Sequence, residues 1–245
     1  MSINKLKNLF KSFPLTKKVL RDLDNKFVRD DFVIEELKNI PSNKVILDAG
    51  CGSQRYRPYC SHLNYKAQDF KQYTADQKKT IGGDSAKSIN GYQYGQLDYV
   101  GDIWKIDEKD GSFDAILCTE VFEHIPYPIE TIKEFGRLLK KDGKLILTAP
   151  SNCLRHMDPY FFYSGFTDRW YEKFLNEYRF EIKSITPVGD YYSWLALEIV
   201  RTGLNHSLLS KILLAPAFLY FYNKKKNEKS INTLCIGYHV LATKL

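Results

Sequence analysis

The chain reads as an α/β fold built on an open, mostly parallel sheet, and three observations carry that reading. Lys44 to Tyr56, KVILDAGCGSQRY, passes from a short apolar run (Val45, Ile46, Leu47) through an acid and two glycines into polar residues, the pattern of buried strand, tight turn and helix start. Phe113 to Cys118 is apolar without alternation, as in a central parallel strand buried on both faces. Stretches of helical spacing separate these segments, and 245 residues with 44% hydrophobic content suffice for one sizeable domain with additions.

The glycine turn narrows the ligand. Gly50 and Gly52 let the backbone turn with no Cβ in the way, and a helix beginning after them would offer free N–H groups. A phosphate-cradling loop would need Gly-Lys-Ser/Thr after a four-residue spacer, and a dinucleotide fingerprint would carry a third small residue where Arg55 stands. Asp48 at the strand tip would repel a pyrophosphate and favour a ligand with positive charge. A sulfonium with an α-ammonium carries that charge.

From these residues the chain resembles the class I S-adenosylmethionine-dependent methyltransferases of the Rossmann-like, methyltransferase type 11-like kind. LDAGCGS is similar to their first motif. Asp102 in YVGDIW, then SFDAILCTEVFEHI, RLLKKDG and KLILTAP follow in the order and approximate spacing of that family, from Val45 to Pro150. Gln54 departs from the pattern, standing where many members have a further glycine. The resemblance implies a three-layer Rossmann-like methyltransferase fold, with a seven-stranded, mostly parallel sheet and an antiparallel last strand. N-terminal helices and a helical insertion before the last strand complete it. The expected division is a helical cap over 1–40, an S-adenosylmethionine-binding core over 41–189, the insertion over 190–233 and the closing strand over 234–245.

Composition bounds the partners. The formal net charge of +7 suggests affinity for something anionic without choosing among nucleic acid, phospholipid and phosphorylated substrate. Cys51, Cys60, Cys118, Cys153 and Cys235 form no CxxC pair and no ligand spacing with histidine, so the sequence predicts no metal site and a reducing compartment. Lysines near the N-terminus precede no continuous apolar segment with a cleavage site, which favours a cytoplasmic location.

Along the chain, Ile3, Leu6, Leu9, Phe10 and Phe13, and later Val19 to Leu37, fit amphipathic helices that cover the sheet, rest on a membrane surface or cap the substrate. Arg55 to Leu63 is expected to complete a short helix, and Asn64 to Asp69 to form the second strand. Asp69 lies where open α/β sheets place an acid for ribose hydroxyls, with Asp76 as competitor. Lys71 to Gln96 reads as loop with one irregular helix. Leu97 to Val100 makes the third strand, and the resemblance implies an adenine site after it, with the Asp102 carboxylate on the exocyclic amine and Ile103 supplying N–H and an apolar flank.

Thr119 and Glu120 emerge from the fourth strand at the topological switch point, joining Asp48, Gly50, Cys51, Gly52, Asp69, Asp102 and Ile103 as cofactor-binding candidates. Cys51 reads as a small side chain beside the cofactor, not a nucleophile. His124 is a candidate general base or substrate positioner, alternatively a residue fixing its loop, and His156 in the aromatic loop Leu154 to Phe166 is the second base candidate. Ile129 to Lys141 fits a helix closed by Asp142-Gly143, Lys144 to Thr148 the fifth strand, and Thr167 caps a helix through Tyr178. Glu181 to Val188 and Leu234 to Thr243 are the remaining strands.

Leu208 to Tyr222 is apolar but interrupted by Lys211 and Pro216 and followed by three lysines, too broken for a membrane span. It suits an interfacial helix, making 204–226 a peripheral membrane contact, or else a hairpin packed on the core or in a dimer.

The expected reaction is in-line methyl transfer from S-adenosyl-L-methionine, most readily to an oxygen, of a small-molecule, glycan or lipid-linked acceptor. Nucleic-acid base methylation is disfavoured because Thr119-Glu120-Val121-Phe122 replaces the Asn/Asp-Pro-Pro-aromatic element of enzymes acting on exocyclic base nitrogens. An RNA methyltransferase, a nicotinamide oxidoreductase and a catalytically silent interaction protein are the alternatives.

Overall fold

The structure, a computed structural model, describes residues 18–19, 23, 25–73, 94–204 and 207–245. The amphipathic stretches expected at Ile3 to Phe13, the competing acid Asp76 and most of the segment from Lys71 to Gln96 lie outside them. Two compact units are present: Phe32–Thr186 with Gly237–Leu245, and Pro187–Ile236 with the described part of Met1–Asp31.

The described residues of the larger unit centre on one sheet whose seven strands run in the order β3-β2-β1-β4-β5-β7-β6. The strands are β1 (Val45–Ala49), β2 (Asn64–Asp69), β3 (Tyr99–Val100), β4 (Phe113–Thr119), β5 (Leu139–Pro150), β6 (Phe180–Val188) and β7 (Gly237–Lys244). The pairs from β3 through β5 are parallel, while β7 runs antiparallel to β5, with Lys144 opposite Thr243 and Pro150 opposite Gly237. The order reverses between β1 and β4, where Leu47 faces Ile116 and Asp48 faces Leu117. That switch point is where open sheets leave a crevice for ligands.

Side-chain alternation along the central strands makes three layers. Leu47, Ile116, Cys118, Leu145 and Leu147 join one buried cluster with Ile132, Phe135 and Leu138 of the helix α2 (Pro128–Leu138) and Tyr171 and Leu175 of α3 (Asp168–Glu177). Ile46, Ala115, Leu117 and Ile146 point the other way, to Val33 and Leu37 of α1 (Asn25–Lys38) and to Tyr56 and Cys60. Each fully buried Leu, Ile or Phe contributes about 1.5–3 kcal/mol of transfer free energy, so both faces of the central strands are fixed by burial. Thr167 caps α3, its hydroxyl accepting from the Trp170 N–H at 3.2 Å.

Several local expectations change. No α-helix follows the glycine turn: the chain descends through successive three-residue turns, Gln54 N–H to Cys51 carbonyl, Arg57 to Gln54 and Cys60 to Arg57, with a single 3-10 turn at Arg57–Tyr59. Gln54 sits at φ +56°, a left-handed conformation that no helix can propagate. The helix before β5 stops at Leu138, because Leu139 already pairs with Phe113 while Ala115 pairs with Lys144, so the residues between them bulge from the ladder. Lys140 therefore lies beyond the helix and neutralises Asp114 at 2.8 Å. The third strand is shorter than expected, and the closing strand begins at Gly237, after Leu234.

In the smaller unit, α4 (Tyr191–Leu204), α5 (Leu208–Tyr222) and α6 (Glu228–Thr233) form the insertion. Asp190 ties two of them together, accepting from the Ser193 N–H and hydroxyl at 2.9 and 2.6 Å and from the Ser230 hydroxyl at 2.7 Å. Asn227 and Ser230 close a reciprocal cap on α6. Among the described residues no helix is long and apolar enough to cross a membrane.

Candidate active site

The site is built on the carboxyl ends of β1, β2 and β4. Gly50 takes φ +71° and Gly52 φ +52°, both in the region that L side chains avoid. A Cβ on Gly50 would lie 2.5 Å from Cγ2 of Val121, so the exits of β1 and β4 approach each other closely at the switch point. The turn is anchored to β2: the Gly50 and Cys51 N–H groups donate to the Gln68 carbonyl at 2.9 and 3.0 Å, and the Gly52 N–H donates to the Asp69 carboxylate at 2.8 Å.

Gln68 supports the candidate site, and the sequence hid it. Its amide oxygen accepts from the Gly50 N–H at 3.1 Å and its nitrogen donates to the Gly101 carbonyl at 2.7 Å, bridging the turn to the segment that carries Asp102. A glutamine in the polar run NYKAQD carries no pattern that marks it as buried, yet it is fully enclosed. Gln54 likewise folds inward, donating to the Gln96 carbonyl at 2.6 Å and accepting from Arg57 at 2.8 Å.

Asp48 and Asp69 are both buried. Burial lifts Asp48 to about 7, against the opposing hydrogen bond from the Tyr65 hydroxyl, with Asp69 adding a further push upward. Asp69 is raised too, chiefly by burial, although the N–H groups of Gly52, Lys71 and Phe70 favour its charged form. The Cys51 thiol is buried and pushed up, first by desolvation and then by Asp48 and Asp69, which makes it a poor nucleophile.

Asp102 is exposed and its carbonyl accepts from the Lys105 N–H, while Ile103 sends its side chain into the core. The loop after them is braced by α2: buried Glu134 accepts from the Ile106 N–H at 2.8 Å and from Arg137 at 2.7 Å, and Arg137 reaches the Ile106 and Glu108 carbonyls. Thr119 ends β4. Glu120 follows at φ +53°, a strained conformation held by its N–H to the Thr148 carbonyl and by the Thr148 hydroxyl donating to its carboxylate, both at 2.9 Å.

The two histidine candidates meet. The 3-10 turn Phe122–His124 presents His124, whose ring centroid lies 4.7 Å from that of His156 in an edge-to-face arrangement. Burial, and secondarily His156, push His124 down to about 4, so its ring is neutral at pH 7. The loop after β5 is fastened beneath them by the Phe162 and Tyr163 N–H groups, which donate to the Glu123 carbonyl at 2.9 and 3.2 Å. Tyr160 of that loop packs edge-on to Phe70 at 4.9 Å, which brings the histidines' loop to the residue next to Asp69.

A glycine turn at the end of β1, a carboxylate at the β2 tip and an acid after β3 fit an adenosyl ligand with positive charge. The methyltransferase domain family matches residues 21–180. The chain belongs to the S-adenosylmethionine-dependent methyltransferases. Its fold is that of the phosphoethanolamine N-methyltransferase 2 of Haemonchus contortus, solved with S-adenosyl-L-methionine, at TM-score 0.53 and 14% identity over 100% of this chain and 60% of that one. A geranyl diphosphate methyltransferase, also solved with the donor, superposes with TM-score 0.51 and 12% identity, covering 89% of this chain and 85% of that one.

Among curated relatives, the ubiquinone biosynthesis O-methyltransferase of Xanthomonas oryzae pv. oryzae is 51% identical over 41 residues, 17% of each chain. An uncharacterized protein of Methanocaldococcus jannaschii is 27% identical over 124 residues, 48% of each. The methyltransferase therefore spans about a sixth of the first of these relatives and about half of the second. S-adenosyl-L-methionine is its cofactor.

Proposed function

We propose that this methyltransferase moves the methyl group to an oxygen of a small-molecule, glycan or lipid-linked acceptor by in-line displacement. The observation that carries the reading is the paired His124 and His156, held beside Glu123 under an aromatic loop that reaches back to Asp69. The short, high-identity likeness to an O-methyltransferase supports oxygen as the accepting atom.

S-adenosyl-L-methionine supplies an electrophilic methyl on a sulfonium, whose departure as a neutral thioether needs no covalent enzyme intermediate. The chain's own residues bind and align. Asp69 accepts from ribose hydroxyls, the Asp102 carboxylate from the exocyclic amine, and the Ile103 N–H donates at the adenine edge. Gly50, Cys51 and Gly52 leave room for close approach, and Asp48, Thr119 and Glu120 surround the methionine end with acceptors and negative charge.

His124 sits too far below neutral pH to be an efficient base, since a catalytic base works best near the operating pH. It suits positioning of an acceptor hydroxyl, and the less buried His156 suits removal of its proton. Most of the acceleration comes from alignment in a site closed to water by the loop from Ser151 to Phe166.

Peripheral membrane contact through 204–226 accords with a lipid-linked acceptor. Leu208, Leu209, Ile212, Leu213, Leu219 and Tyr220 of α5 are all more than half exposed, and Lys224, Lys225 and Lys226 follow at its end. Flotation with anionic vesicles at low salt tests this contact, and failure to float removes it.

The atom that is methylated is tested with donor carrying a carbon-13 methyl. Incubation with a panel of hydroxylated acceptors should give a product whose methyl resonance falls in the O-methyl range. A product resonance in the N-methyl or C-methyl range contradicts the proposal.

A further inference from the structure

Among the described residues, Glu123, His124 and His156 bring one carboxylate oxygen and two imidazole nitrogens within 4.8 Å of one another. The geometry points to a binding site for a divalent first-row transition metal at this cluster, with Glu123, His124 and His156 as ligands.

The tautomers are set for it. Nδ1 of His124 lies 2.6 Å from the Tyr160 carbonyl and Nδ1 of His156 lies 2.8 Å from the Leu154 carbonyl. A carbonyl only accepts, so each Nδ1 carries the proton and each Nε2 keeps its lone pair. A ligand histidine whose other nitrogen donates to a backbone carbonyl is the usual supported arrangement at metal sites.

The remaining geometry agrees. Nε2 of His124 is 3.6 Å from Oε1 of Glu123, and Glu123 is buried, its carbonyl fastened to the loop that carries His156. Coordination at about 2.0–2.2 Å would bring the three atoms to roughly 3.0–3.4 Å of one another, a contraction that the loop-borne His156 can supply.

Two imidazoles and one carboxylate select metals of zinc, manganese, iron, cobalt or nickel type over calcium or magnesium, and three ligands leave positions open. Such a metal would take over the task given above to the histidines, and this use rests on the oxygen-methylation reading. An acceptor hydroxyl on the metal would release its proton to solvent and keep the electron pair. The oxygen would then bond to the methyl as the carbon–sulfur bond breaks, sulfur keeping that pair. The site leaves no mark in the sequence because its ligands come from two separate segments, the 3-10 turn after β4 and the loop after β5.

The test uses the full chain stripped by chelator and titrated with cobalt(II), read by visible absorption, and with zinc, read by calorimetry. One equivalent should bind. His156→Ala and Glu123→Gln should each weaken binding at least tenfold, while His62→Ala, which alters a histidine outside the cluster, should leave it unchanged. S-adenosylhomocysteine binding is measured on the same samples. Its retention by His156→Ala shows a folded site, and its absence from the wild type would count against the methyl-donor reading separately from the metal. No binding at millimolar metal, or binding that ignores both substitutions, overturns the proposal.

Discussion

Asp48→Asn tests the electrostatics of the switch point through the pH dependence of stability. Asp48 is raised from its ordinary 3.8 to about 7. A folded-state value above the unfolded one means that the native protein binds more protons between those limits, so stability is greatest below pH 3.8 and falls as pH rises to 7. At about 1.36 kcal/mol per pKa unit, the shift amounts to about 4 kcal/mol lost across that window. That is a large part of the 5–15 kcal/mol by which domains are typically stable.

The charged and titratable groups facing Asp48 are the Tyr65 hydroxyl, Asp69 and the thiols of Cys51, Cys60 and Cys118. Those thiols are all pushed up and stay protonated through the window, and Asp69 is raised in the same direction, so it leaves a residual slope in the variant. Asparagine keeps an oxygen for the Tyr65 hydroxyl and cannot ionise. Urea unfolding of both proteins from pH 4 to 8 should therefore show near equality at pH 4. The variant should gain up to about 4 kcal/mol by pH 8 at unchanged m-value. A stability difference that does not vary with pH would refute the reasoning.

Two further substitutions probe the lid and the insertion. Gly165→Ala would put a Cβ 2.2 Å from the Ser151 carbonyl carbon and oxygen at φ +152°, and backbone cannot yield as a side chain can. It should cost at least about 2 kcal/mol and speed proteolytic cleavage between Ser151 and Phe166, whereas wild-type cleavage rates would contradict the packing described. Asp190→Ala removes the acceptor shared by Ser193 and Ser230 and should cost about 1–3 kcal/mol, lowering amide-exchange protection in α4 and α6. Unchanged protection there would show that the insertion is held by other contacts.

The parts of the fold visible in the sequence are those whose signal is local and apolar. Val45 to Leu47 and Phe113 to Cys118 form central strands because no other element buries a short, continuous apolar run as well, and Thr167 announces its helix by its capping chemistry. Other features depend on tertiary partners and left little trace. Arg55 to Leu63 has helical composition, but Gln54 in a left-handed conformation turns the chain into successive tight turns. Lys140 was expected inside a helix running to Lys141, and the pairing of Leu139 with Phe113 gave it to Asp114 instead.

In the site, the glycine turn and the acids after the strands were visible as a motif. Their supports, Gln68, Tyr65 and the Glu134–Arg137 pair, were not, since each acts through a side chain whose partner is distant in sequence. The histidines could be named one at a time, but their meeting across the loop after β5 is a product of the fold.

The most direct measurement is isothermal titration of S-adenosylhomocysteine into the wild type and into Asp69→Asn, which preserves shape and removes the charge at the β2 tip. One-to-one binding, weakened about ten- to a hundredfold by the substitution, is the predicted result, equivalent to about 1.4–2.8 kcal/mol. Equal affinity in the two proteins, or heat from NAD where S-adenosylhomocysteine gives none, would contradict it.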